Sequence, residues 1–185
     1  MTQIVQAVNT SDPFDLLLEI EQRCQASAAG LPTLDKVEEE WVGVGFRIGD
    51  DKLIAPMYEI EEILDLPEFT NVPGVKSWMV GVANVRGGLL PLMDLKGFIL
   101  GEDIKQRKKG RVIVINYKGF KTGLIVEEVY GMKHFLTKDQ SEEIPGVHES
   151  VSKYVDMAFN QEGDDWPVFS FQNMTQDDRL AEASL

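Results

Sequence analysis

Only one cysteine, Cys24, occurs in 185 residues, so no internal disulfide can form and no cysteine-based metal site is available. Histidine is nearly as scarce. His134 and His148 stand far apart and neither has a second donor at ligand spacing, so no metal is expected. No run of about 18 apolar residues is present, and the N-terminus lacks a basic stretch followed by an apolar one. Both absences point to a cytoplasmic protein, neither exported nor membrane-spanning. Positive charge is short as well: 18 Lys and Arg face 31 Asp and Glu, for a net charge of −13. That balance disfavours nucleic acid and direct membrane insertion, because phosphate backbones and anionic lipid surfaces both reward clustered cations. Phosphate-cradling glycine loops, GxSxG and HExxH are missing too, so no cofactor is expected. One near-motif remains. Ser150 and Lys153 match SxxK and open an alternative reading as a small serine hydrolase, but the companion motifs of such enzymes are absent. A chain without a reactive constellation reads better as an interaction module than as an enzyme.

Apolar residues make up 43% of the chain, enough for a real core. Residues 1–40 form an N-terminal extension. Within it, Ser11 and Asp12 offer a cap, Pro13 suits a first turn, and Leu17, Ile20, Cys24 and Ala28 share one face of a helix spanning 12–28. Two readings stand open for this helix: packing on its own domain, or serving as a partner-docking arm. Gly30-Leu31-Pro32 and Glu38-Glu39-Glu40 then read as a linker.

From Trp41 the period changes to alternation, with Val42, Val44, Phe46 and Ile48 on one side of a strand. Gly49-Asp50-Asp51 turns it back into residues 52–57, and Ile60, Ile63 and Leu64 share a side of either a helical turn or a strand. Residues 111–117 are the most strand-like run, answered across Lys118-Gly119 by 120–126. Shorter strands are expected around 129–135, 154–159 and 168–171. About ten short strands with turn punctuation argue for a mostly β protein of closed or nearly closed antiparallel barrels. The body is expected over 41–175, divided into two subdomains near the basic segment at 101–111, with an acidic tail over 176–185 that frays.

The chain is organised around residues 72–95. Pro73-Gly74 signals a turn. Residues 80–85 and 89–93 flank Arg86-Gly87-Gly88 and read as a hairpin that displays Arg86 beside its turn. Pro91 places its strand at an edge or interrupts it. After Asp94 a short helix runs from Leu95 to Leu100 and stops at Gly101.

These residues carry a family likeness: the chain from Val44 to Phe171 resembles the CheW-like coupling proteins of bacterial chemosensory arrays. The likeness rests on Val72-Pro73-Gly74, on Gly81-Val82-Ala83-Asn84-Val85-Arg86-Gly87, and on Leu90-Pro91-Leu92-Met93-Asp94-Leu95. Ile60-Glu61-Glu62-Ile63 and the run from Thr122 to Val129 extend it to both sides. The leader from Asp12 to Glu21, ahead of Gly30-Leu31-Pro32, is similar to that of the branch serving type IV pili and twitching motility. The resemblance implies a CheW-like fold of two five-stranded SH3-like β-barrels with short helices. It also implies an adaptor that joins the cytoplasmic tip of a methyl-accepting chemoreceptor to the regulatory domain of a CheA-like histidine kinase. Such a protein is cytoplasmic and recruited to membrane-associated receptor arrays. Glu62 and Arg86 match positions implicated in coupling, with Asn84 beside them, and as a plain structural alternative Glu62 and Arg86 form a surface ion pair. Ile60, Val82 and Val126 are candidates to line an inter-barrel groove that accepts a receptor helix and are equally suited to be core residues, while Pro73, Gly74, Gly81, Gly87, Pro91 and Asp94 shape the motif. The chain departs from the family near its end, where Trp166 to Phe171 and an acidic tail stand in place of the usual strand and final helix.

Overall fold

The computed structural model describes residues 13–27, 39–102, 110–161 and 163–181, in two compact units, Met1–Val37 and Glu38–Leu185. In the first unit, α1 (Pro13–Ser27) forms with proline in its first turn, as its sequence signals. Its large apolar side chains are exposed, Leu17 at 61% and Ile20 at 49%.

The second unit begins with β1 (Glu40–Ile48) and β2 (Asp51–Pro56), a hairpin closed at Gly49-Asp50. A 3-10 turn at Met57–Glu59 leads into β3 (Ile60–Asp65), so the segment left open between helical turn and strand is a strand. Then come β4 (Phe69–Thr70), β5 (Met79–Val85), β6 (Gly88–Asp94), α2 (Leu95–Leu100), β7 (Arg111–Tyr117) and β8 (Phe120–Val126). The chain continues through β9 (Glu128–Leu136), β10 (Gln140–Ser141), α3 (Glu149–Ser152), β11 (Val155–Gln161), β12 (Asp164–Phe169), α4 (Phe171–Met174) and α5 (Asp178–Ala181).

Two six-stranded sheets result, ordered β10-β11-β12-β2-β1-β9 and β3-β7-β8-β6-β5-β4. Five strands per barrel were expected; the sixth member of each sheet is a two-residue strand, β10 or β4. The expected division at 101–111 does not separate the sheets. β7 and β8 after it pair with β3 and β6 before it, and the chain changes sheet after Pro56 and again after Val126. Residues 103–109 of that basic segment lie outside the described residues.

Period-2 alternation assigns successive side chains to different cores. Val112 and Val114 of β7 join Leu90, Leu92 and Ile125 inside the second sheet, and Ile54 and Val168 join Phe135, Phe159 and Trp166 inside the first. The opposite faces meet in one shared core, where Phe46, Leu53, Met93, Ile113, Ile115, Leu124 and Phe169 are all essentially inaccessible. Phe46 stacks on Phe171 at 5.7 Å and meets Phe169 edge-on at 5.8 Å. Burial on both faces explains why β7 reads as an unbroken Val-Ile-Val-Ile run.

Two expectations need correction. β6 is an interior strand, antiparallel to β5 and parallel to β8. Pro91 is tolerated because the parallel pairing begins only at Leu92, and its carbonyl still accepts a hydrogen bond from Thr122 Oγ1 at 3.0 Å. At the C-terminus, β12 ends at Phe169 and Phe171 opens α4, capped by Ser170 Oγ accepting from Asn173 N. The acidic segment does not fray at 176: Met174 and Leu180 are buried in the shared core. Arg179 anchors α5. It donates to Asp177 Oδ1 at 2.9 Å, to the Tyr154 hydroxyl at 2.7 Å and to Phe98 O at 3.1 Å, with its guanidinium 4.4 Å from the Phe98 ring centre. These bonds from Arg179 hold the Asp177 carboxyl far below the usual carboxylate range, while burial, reinforced by the Asp177 bond, pushes the Tyr154 phenol up to about 12.

Candidate functional site

The tip of the β5–β6 hairpin is a two-residue turn in which Arg86 has φ 51° and Gly87 φ 83°. Two successive positive φ angles define a type I′ turn, whose twist matches the flanking strands. Glycine meets the requirement at position 87 without strain. Arginine at 86 does not, since a left-handed L-residue carries a penalty of roughly 1–2 kcal/mol. Asn84 Oδ1 accepts from Gly87 N at 3.0 Å and holds the turn. The price of a Cβ at the neighbouring Gly81 is a contact of 2.3 Å with Thr70 O, so only glycine lets β4 approach there.

The turn projects Arg86 with its side chain 79% exposed. Its Nη2 lies 2.8 Å from Glu62 Oε2 on β3, whose side chain is only 19% exposed. β3 and β5 are not neighbours in the ladder, so this contact across the sheet marks its curl towards a barrel. Glu62 Oε2 is buried, yet the contact is an ion pair by distance only, and that oxygen receives no aligned hydrogen bond. The guanidinium displayed above it can offer its planar N–H fork to a partner's carboxylate or carbonyl oxygen.

Beside the pair, Lys121 Nζ contacts Glu61 Oε1 at 2.5 Å, and this ammonium keeps the Glu61 carboxyl below its ordinary value. Leu89, the residue after the turn, is 78% exposed. A cleft of about 310 Å³ runs between Arg86, Glu61, Glu62, Leu89 and Lys121. It presents an apolar tooth ringed by two cations and two carboxylates, a surface suited to recognition.

The expected site residues divide. Glu62, Asn84 and Arg86 are brought together, Asn84 acting through the turn. Val82 is half-buried in mid-strand, paired with Thr70 and Pro91. Ile60 and Val126 are corrections to the groove reading: at 9% and 1% exposure they belong to the shared core, the alternative that their apolar side chains also allowed. The motif residues act locally. Pro73-Gly74 form a turn, with Gly74 at φ 72°. Asp94 caps α2 by accepting from Gly97 N at 2.9 Å.

Leu89, Glu61 and Lys121 were not singled out from sequence. Leu89 was within reach, because Leu90 and Leu92 facing inward leave it outward by alternation; Glu61 and Lys121 meet only through the β3–β7–β8 register. The Ser150 and Lys153 pair gains nothing. Both lie on or next to the single turn α3, Lys153 is exposed, and among the described residues no hydrogen bond joins them. His148 caps α3 through Nδ1, His134 Nδ1 lies 2.8 Å from Glu40, and no group of three metal-ligating side chains forms among the described residues.

The CheW-like domain family matches residues 42–179. Protein PilI of Pseudomonas aeruginosa is 44% identical over 164 residues, covering 89% of this chain and 92% of its own. Chemotaxis protein CheW of Helicobacter pylori is 29% identical over 61% of this chain and 68% of its own. Among solved structures, the scaffolding protein CheW from Thermoanaerobacter tengcongensis superposes with a TM-score of 0.61 at 20% identity. That match covers 71% of this chain and 89% of the other, and it shows the fold.

Proposed function

The chain belongs to the CheW-like domain family, and from that premise we propose that it is a non-catalytic adaptor in a chemosensory array governing type IV pili and twitching motility. It joins a methyl-accepting chemoreceptor's cytoplasmic tip to the regulatory domain of a CheA-like histidine kinase, and it is recruited from the cytoplasm to membrane-associated arrays. The chemosensory role follows from the CheW-like relatives, and the pilus assignment from the likeness to PilI. Among the described residues no helix is long and apolar enough to cross a membrane.

The observation that carries the site is Arg86: a displayed guanidinium held in a left-handed turn over the buried Glu62 oxygen, with Leu89 exposed beside it. Glu62, Asn84 and Arg86 are the proposed contacts, and Val82 stands behind them in the strand. Titrating purified Arg86→Ala against the kinase regulatory domain and the receptor tip tests this. Affinity for one of the two is expected to fall by about 2 kcal/mol, as for an interface hot spot. Unchanged affinity for both removes Arg86 from the site.

A further inference from the structure

We propose that the cleft where Tyr58, Glu59, Tyr117 and Gln172 meet receives an arginine side chain of a partner protein. Three elements form it. Tyr58 and Glu59 come from the 3-10 turn that carries the chain from the first sheet to the second, Asn116 and Tyr117 from the end of β7, and Phe171 and Gln172 from the first turn of α4. Its volume of about 120 Å³ lies below the roughly 300–1,000 Å³ of small-molecule sites and suits a single side-chain head. The cleft shares no lining residue with the one at Arg86, so this contact is additional to that one.

Glu59 sets the sign of the occupant. Its Oε2 accepts from Phe171 N at 2.6 Å and from Gln172 N at 3.3 Å, and its Oε1 from Ser170 Oγ at 3.3 Å. All three donors are neutral. Burial outweighs them, so the carboxyl stays above its ordinary value, and the charge of Asp156 adds to the rise. Asp156 in turn accepts from the Asn173 amide at 2.9 Å, and among the described residues no cation pairs with either carboxylate. A half-buried anion with neutral and acidic neighbours is matched by a positive charge from outside. The walls then choose between the two cationic side chains. Tyr58 is 81% exposed and Tyr117 half-buried, and both line the cleft. A flat, weakly hydrated guanidinium stacks on such rings while its edge donates to a carboxylate; an ammonium is a strongly hydrated point charge. Oε1, with one long bond from Ser170, keeps acceptor capacity for that edge. Lys118 does not fill the role. Its Nζ lies 5.1 Å from the Tyr117 ring centre, and it forms no ion pair with Glu59 or Asp156.

The test titrates the full, isotope-labelled chain with N-acetyl-arginine amide and, separately, with its neutral isostere N-acetyl-citrulline amide, reading backbone amide resonances. The arginine compound is expected to shift Tyr58, Phe171 and Gln172 saturably, with a Kd on the order of 1–10 mM, and the citrulline compound to leave them in place. Glu59→Gln keeps an oxygen for the backbone donors of α4 but loses the charge, and Tyr58→Ala removes an exposed ring. Each is expected to weaken arginine binding about five-fold or more. Unchanged resonances away from the cleft show that a variant is folded; if Glu59→Gln is not, Tyr58→Ala and the citrulline comparison decide. No saturable shift, an equal response to citrulline, or undiminished affinity in either folded variant overturns the proposal. None of these results bears on Arg86.

Discussion

At the scale of single residues, Arg86 carries two opposing terms. Its left-handed backbone costs roughly 1–2 kcal/mol, and its ion pair with Glu62, exposed on the arginine side and largely covered on the carboxylate side, returns about 1 kcal/mol. The fold therefore has little use for arginine there. Asparagine is the residue that type I′ turns prefer at this position, so Arg86→Asn is expected to leave the unfolding free energy within about 1 kcal/mol of wild type, or slightly above it. Chemical denaturation measures this; a loss beyond about 2 kcal/mol would make Arg86 a structural residue. Left-handed strain alone does not mark function, since Lys118 adopts φ 49° at the matching β7–β8 turn. What distinguishes Arg86 is the buried Glu62 oxygen beneath it.

At the scale of elements, the C-terminal α5 is held by ionisable groups, and its attachment should follow pH. The Asp177 carboxyl lies below its ordinary value of 3.8, so its contribution is present above that pH and is lost as pH falls through and below it. The Tyr154 phenol is raised from 10.0 to about 12, so its contribution is complete below pH 10 and is lost as pH rises towards 12. Asp177→Asn is expected to lower stability at neutral pH and to flatten the decline below pH 4; Tyr154→Phe should flatten the decline above pH 10. Unfolding midpoints across pH check both, and parallel curves for wild type and Asp177→Asn would contradict the assignment. This element was also the least legible in the sequence. Residues 176–185 look like a solvated acidic tail because the partners that hold Arg179, Tyr154 and Phe98, lie 25 and 81 positions away. The β5–β6 hairpin, by contrast, was readable because its determinants, Asn84, Arg86, Gly87 and the alternating leucines, are neighbours. Alternation could not place Val126, because both faces of β8 are buried, nor Ile60, because the β3–β7 register shifts between Ile60 and Glu62.

For the whole molecule, strands before and after residue 101 share sheets, and both sheets share one core through Phe46, Met93, Ile113, Leu124 and Phe169. Residues 39–181 should therefore unfold in a single transition. Phe46→Ala removes a ring that contacts Phe169 and Phe171 and is expected to cost about 3–5 kcal/mol without splitting that transition. Two resolved steps in denaturation would show that the sheets are independent. A body this cohesive suits a rigid bridge between two partners, and bridging itself is the property to measure. Receptor-containing membranes, the CheA-like kinase and this chain are mixed and sedimented, with wild type, with Arg86→Ala and without the chain. The expected result is kinase in the pellet with wild type, and little in the other two. Kinase that pellets equally in all three would contradict an adaptor acting through Arg86.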